Sequence, residues 1–216
     1  MFHFLKFSNI LSIFLLELTH NFGTIDAIRS NSHKNEWIGD GHLQFTFDLL
    51  NGIFFNSYDA KTSVLKSATF SPFSIQSILM MIHLGARGNT RTEIARVLHL
   101  DSAENNTTFS KSQEKFGRAL KSLLGDSQVS RYLSSANQLF VQEDLHLAQS
   151  YALALQRYHS ANVEYVNFSN APYQVLTMIN DWIAKHTWNM IQNFLTKPPT
   201  PIRSLVAMNA ITFEGK

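Results

Sequence analysis

The stretch that most constrains this chain runs from Phe73 to Leu84 and is apolar almost all round. A helix without a polar side cannot lie on a surface; it has to be enclosed by other elements. Ser71 is placed to cap it, because its hydroxyl can accept a free backbone N–H of the first turn. Pro72 then falls at the first helical position, where its missing N–H costs nothing. Gly85 reads as the stop, taking the left-handed cap conformation without strain. Thr90 and Glu93 read as a capping box for a second helix with Ile94, Val97 and Leu98 as its apolar stripe. The segment Thr69 to Leu100 is therefore a buried helix, a Gly-rich turn and an amphipathic helix.

With 216 residues the chain is long enough for one domain with a real core, or for two small ones. A formal net charge of +2 argues against nucleic-acid binding driven by bulk charge. No Cys is present, which removes disulfides, thiolate metal sites and a Cys nucleophile. The first residues have the layout of a signal peptide: Lys6 without an acid nearby, the apolar run Ile10 to Leu16, and small residues near Ala27. The expected organisation is a signal peptide over residues 1–27, a flexible segment over 28–40, and one domain over 41–216, secreted to the extracellular space. No other stretch is long and apolar enough for a membrane helix.

Leu43, Phe47, Leu50 and Phe54 recur at helical spacing, so Gly41 to Tyr58 is predicted helical with that stripe facing the core. Asp59 to Ser67 reads as a polar connection, and Ala68 to Phe70 as a short strand. Ser110 to Leu124 is predicted helical, with Ser110 and Gln113 as a capping box and Phe116, Leu120 and Leu123 on one face. Arg131 to Gln142 alternates as a strand does. Leu145 to Tyr158 reads as a helix, Asn162 to Phe168 as a strand, and Pro172 opens a helix with Val175, Ile179, Trp182, Ile183 and His186 on one face. Lys197 to Pro201 holds three of the five prolines and is an extended break. Leu205 to Phe213 is a continuous apolar run, predicted to be a central strand covered on both faces. An apolar strand so near the last residue suggests that the sequence is cut short. Helices followed by strands alternating with helices make the class α+β or mixed α/β.

Signatures of catalysis are missing. There is no G-x-S-x-G, no G-x-G-x-x-G and no P-loop. None of the nine His forms an i, i+4 pair, so no helical metal site is expected. His83 and His186 sit on apolar faces and read as hydrogen-bonded core or boundary residues. The expectation is a protein that is not an enzyme, with no catalytic residue, metal or cofactor. Asn105, Asn106 and Asn167 each begin an N-x-[ST] sequon and are candidate glycosylation sites. Lys111, Lys115, Arg118 and Lys121 lie on one helix, the first three on one face. They form either a solvated face or a dock for a heparin-like polysaccharide.

Several stretches resemble one family, the serpins, serine protease inhibitors that work by changing shape. Phe70 to Ile75 read Phe-Ser-Pro-Phe-Ser-Ile, Leu84 to Thr90 Leu-Gly-Ala-Arg-Gly-Asn-Thr, and Glu93 to Leu100 Glu-Ile-Ala-Arg-Val-Leu-His-Leu. Ser135 to Gln142 resemble the family's Ser-Ala-Asn-x-Leu-Phe-Val strand. Tyr165 to Ser169 resemble its Val-Asp-Phe segment, Ile179 to Thr187 its Ile-Asn-x-Trp-Val helix, and Asn209 to Lys216 its Asn-Ala-Ile-Tyr-Phe-Lys-Gly strand end. The resemblance implies a serpin-like α+β fold, with helices packed on a large, mainly antiparallel sheet and only part of the domain present. It implies a partner, a serine or cysteine protease, trapped when a bait loop is cut and inserts into that sheet. It implies a polar cluster controlling sheet opening at Ser71, Ser74 and Asn209. The bait loop is not in this sequence. The alternatives are a non-inhibitory binding, storage or chaperone protein of the same kind, and a non-functional truncated product.

Overall fold

A computed structural model describes residues 40–59, 64–65, 70–100, 106–127, 129–199 and 205–213. The expected signal peptide, Asn105, the Lys197 to Pro201 break from residue 200 on, and most of the expected strand Ala68 to Phe70 lie outside the described residues. In chain order the elements are α1 (Asp40–Ser57), a short antiparallel pair β1 (Tyr58–Asp59) and β2 (Val64–Leu65), α2 (Pro72–Gly85), α3 (Gly88–Val97), α4 (Asn106–Gly125), β3 (Leu133–Gln142), α5 (Gln149–His159), β4 (Ala161–Val166), α6 (Pro172–His186) and β5 (Leu205–Phe213).

Buried helix α2 is the hub. Ser71 caps it as expected, its Oγ accepting the Ser74 N–H at 3.2 Å. Its far end differs from the reading of Gly85 as a left-handed stop. Gly85 is the last helical residue, and the cap falls on Ala86 in extended conformation. What demands glycine there is space: a Cβ on Gly85 would lie 2.9 Å from the Tyr151 ring. That ring is held by its hydroxyl, which donates to Met81 O at 3.0 Å. The left-handed residue is Gly88, at φ +55°. Helix α3 therefore starts two residues before Thr90, so the expected Thr90–Glu93 capping box lies inside the helix. It is capped by Leu98, followed by His99 at φ +51°, a conformation more usual for glycine, with Leu100 N–H bonded to Ala95 O at 3.0 Å.

Helix α1 meets α2 with a different face from the one predicted. Phe45 is buried and Leu49 half-buried, packed with Met80 and Leu98. Leu43, Phe47 and Leu50 stand outward, 47%, 57% and 44% exposed. The helix carries two apolar sides, and periodicity reports both without saying which is covered. In α4, Ser110 lies inside the helix, and its supposed capping partner Gln113 points into the interior.

The described sheet has the order β4–β3–β5. Strand β3 runs parallel to β4, from Asn137 opposite Ala161 to Gln142 opposite Val166. It runs antiparallel to β5, from Leu133 opposite Phe213 to Val141 opposite Leu205. So the described sheet is mixed, its centre is β3, and β5 pairs only with β3 among the described residues. Strands β3 and β5 are both covered on two faces. On one side Phe140 and Met208 pack with Val175, Ile179 and Ile183 of α6. On the other, Leu139 and Val141 pack with Met81 and Leu84 of α2 and Leu155 of α5. Helix α5 begins four residues later than predicted and ends on Ser160 at φ +49°. No described helix is long and apolar enough to cross a membrane.

Candidate functional site

On the α2/α5 side, the apolar packing of the sheet is interrupted at mid-strand. Asn209 of β5 stands directly opposite Asn137 of β3. Its Nδ2 donates to Asn137 Oδ1 at 2.9 Å, to Ser135 Oγ at 3.1 Å and, more weakly, to Ala136 O at 3.4 Å. Asn137 Nδ2 in turn donates to the backbone carbonyl of His159 at 2.8 Å. His159 is the last residue of α5, and its Nε2 meets Gln113 Oε1 at 2.8 Å. Gln113 reaches from α4 to α2: its Nε2 donates to Met80 O at 3.3 Å and meets His83 Nδ1 at 3.2 Å.

Five elements are thereby joined through one buried polar chain running His83, Gln113, His159, Asn137, Asn209. The pattern sets the tautomers. Gln113 Nε2 must face the Met80 carbonyl, so Oε1 faces His159, whose Nε2 carries the proton. The same orientation leaves His83 Nδ1 as an acceptor. Burial holds His159 down, from 6.5 to about 4, so its ring is neutral at ordinary pH. Phe116 packs beside it with ring centroids 5.4 Å apart. Burying a polar group without a partner costs about 1–3 kcal/mol, so a chain of this kind holds its members in place as long as all are present. Two links end on atoms without a partner among the described residues, His159 Nδ1 and Asn209 Oδ1. Asn209 thus fastens the β5–β3 seam through its amide N–H groups.

Of the predicted cluster, the structure places Asn209 at the β5 end of this chain and Ser71 and Ser74 together at the head of α2, where one caps the other. It joins Asn209 to Ser135 and Asn137, because register puts them face to face. From sequence Gln113 reads only as a capping partner of Ser110, and His159, Asn137 and Ser135 carry no site expectation. The usable signal was Gln113, a polar residue on the same stripe as Phe116 and Leu120, both packed inward. His83 is fully buried and bonded, as expected, and His186 Nδ1 lies 2.7 Å from Trp182 O.

Lys111, Lys115, Arg118 and Lys121 are all exposed on α4, the first three on the side away from Gln113. Asn167 lies half-buried after β4, its Nδ2 bonded to Glu143 and its Oδ1 accepting Asn170 N–H at 2.7 Å. The side chain of Asn106 lies outside the described residues. Among those residues, no group of His, Asp and Glu could hold a metal ion.

The sequence matches the family model described as Serpin (serine protease inhibitor) over residues 42–216. This chain belongs to the serpin family. It is 35% identical to neuroserpin of Gallus gallus over 147 residues, which make up 68% of this chain and 34% of that relative. It is 31% identical to Serpin B3 of Homo sapiens over 191 residues, covering 83% and 47% respectively. The structure of ovalbumin from emu (Dromaius novaehollandiae) superposes with a TM-score of 0.68 at 30% identity, covering 82% of this chain and 46% of that one. The helices and the mixed sheet are thus part of a serpin fold, and this serpin chain spans about half the length, or less, of the relatives it matches.

Proposed function

We propose that this chain supplies the sheet of a secreted protease inhibitor, a serpin that traps a serine or cysteine protease by taking its cut bait loop into that sheet. The observation that carries the reading is Asn209. A β-strand that must later accept a new neighbour is better fastened by side-chain hydrogen bonds than by interlocked apolar groups. Hydrogen bonds exchange partners at small net cost, whereas apolar interlock must be broken before it is remade. Asn209 fastens β5 to β3 in this way, through amide N–H bonds to Asn137 and Ser135. The protein would act as a bait and not as an enzyme. The signal-peptide layout of residues 1–27 supports secretion. Four exposed cations along α4 support a weak dock for heparin-like polysaccharide, and a salt-dependent retention on a heparin column is the expected result.

The test is to express the longest product of the gene containing this sequence and incubate it with trypsin-like, chymotrypsin-like and papain-like proteases. A protease–inhibitor adduct that survives boiling in detergent is the expected outcome. Cleavage of the product without an adduct, by every protease, would favour a non-inhibitory binding or storage protein instead.

A further inference from the structure

The connection that follows α6 is irregular, yet it is held at fixed points by two side chains of α6 and its end. Asn180, in the middle of α6, makes a two-point contact with one residue fifteen positions on: its Nδ2 donates to Leu195 O at 3.0 Å, and Leu195 N–H donates to its Oδ1 at 2.8 Å. An asparagine amide used this way copies a strand partner, satisfying both backbone groups of Leu195. Thr187 does the same service nearer the helix. Its Oγ1 donates to Ile183 O at 2.7 Å and accepts Ile191 N–H at 3.2 Å.

Between these two fastenings the backbone is unusual. Trp188, Asn189 and Asn193 all take left-handed conformations, at φ +49°, +59° and +52°. Asparagine tolerates that region; a bulky tryptophan does so only under constraint. Trp188 and Met190 stand outward, 46% and 59% exposed, so packing of those side chains is not what holds the turn. Ile191, Phe194 and Leu195 instead turn inward against the cluster formed by α6, Phe140 and Met208. Residues 187–195 are thus a strap laid over the α6 side of the sheet, with stored backbone strain and polar fastenings to α6 at both ends.

We infer that Asn180 is a latch, a positioning residue that makes α6 and the strap one rigid cover over β3 and β5. Without it the strap is loosened from the helix while the helix itself persists. Thr187 holds the near end of the strap to the helix, and the two bonds to Leu195 hold its far end. The consequence for loop insertion rests on the inhibitor reading above. The latch itself rests on the geometry alone.

Amide hydrogen exchange on the full chain tests it, comparing the unaltered protein with Asn180→Ala and Asn180→Asp. In Asn180→Ala, exchange at Leu195 is expected to rise about tenfold or more, as one good hydrogen bond is lost from a surface strap. The amides of α6 from Val175 to Ile183 should keep their protection. Asn180→Asp keeps the acceptor for Leu195 N–H and loses the donor, so its Leu195 amide should fall between the other two. Chymotryptic cutting at Trp188 and Phe194 should accelerate in the same order. Unchanged exchange at Leu195 would overturn the latch, and so would an equal rise along α6, which would make Asn180 a helix-stabilising residue only. If Asn180→Ala fails to fold, Asn180→Asp is read at the same amide with the same criteria. A product that forms no adduct with proteases leaves these exchange outcomes standing, so failure of the inhibitor reading and failure of the latch are seen separately.

Discussion

Around Phe140, on the α6 side of the sheet, the contacts are apolar. The ring meets Trp182 edge-on at 6.4 Å and packs with Ile179, Ile183 and Met208. Around Asn137, on the opposite side of the same strand, five elements are tied by amides, hydroxyls and imidazoles. The two regions are three residues apart in β3, yet they resist change differently. Apolar contact is non-directional and scales with area, so it tolerates small shifts and loses energy smoothly. A polar chain is directional, so its members change partners only where another donor or acceptor comes within reach, and otherwise leave buried atoms unpaired. The apolar clusters on both faces supply stability, and the polar chain around Asn137 decides which arrangement of strands and helices is allowed.

The contrast can be broken most severely on the apolar side. Phe140→Ala should destabilise by about 3–5 kcal/mol, through lost burial and the cavity left behind. A midpoint in urea within error of the unaltered protein would show that α6 does not anchor the sheet.

Acid attacks the other side. His159 is held from 6.5 to about 4 by burial, so between those values the unfolded chain binds a proton that the folded chain refuses. Stability therefore falls as pH drops from about 6.5 towards 4, by about 3 kcal/mol in all, and levels off below. Urea midpoints at pH 7, 6, 5 and 4 measure it. His159→Phe should flatten that segment of the profile, and an unchanged slope would assign the loss elsewhere.

Gln113→Leu should cost about 1–3 kcal/mol, because it leaves the Nε2 proton of His159 and the Met80 carbonyl without their partner. Combined with His159→Phe the loss should be less than the sum of the two single changes, since the second removes a group that the first left unpaired. Additive losses would mean that the two side chains act separately.

The smallest effect belongs to Asn209→Ala, about 1 kcal/mol on thermal or urea unfolding. Its sharper readout lies at the seam. Amide exchange in β5 should rise more than in β4, although both strands pair with β3. Equal changes in the two strands would remove Asn209 from its role as the seam's fastening.

Much of the frame was legible. The Ser71–Pro72 start of α2, the burial of that helix, the strand character of Ser135–Gln142 and Leu205–Phe213, and the α6 stripe of Val175, Ile179 and Ile183 all follow from short-range rules. Capping chemistry, proline geometry and hydrophobic periodicity act within one or two turns, so neighbouring residues suffice to read them. The failures share a cause. Leu43, Phe47 and Leu50 form as good a stripe as the buried side of α1, and only the position of α2 chooses between them. Thr90 with Glu93 and Ser110 with Gln113 have the spacing of capping boxes, but both helices start earlier and turn these residues into ordinary helical positions.

Local sequence by itself determined which segments of this protein are helix or strand, and that α2 must be enclosed. Tertiary structure alone decided the rest. It decided that Gly85 is small for the sake of Tyr151, that β3 rather than β5 is the centre of the described sheet, and that Gln113 joins His83 to His159. Those outcomes depend on residues tens of positions apart meeting at hydrogen-bond distance. No periodicity within one element carries that information, because the partner's place is set by how whole elements pack.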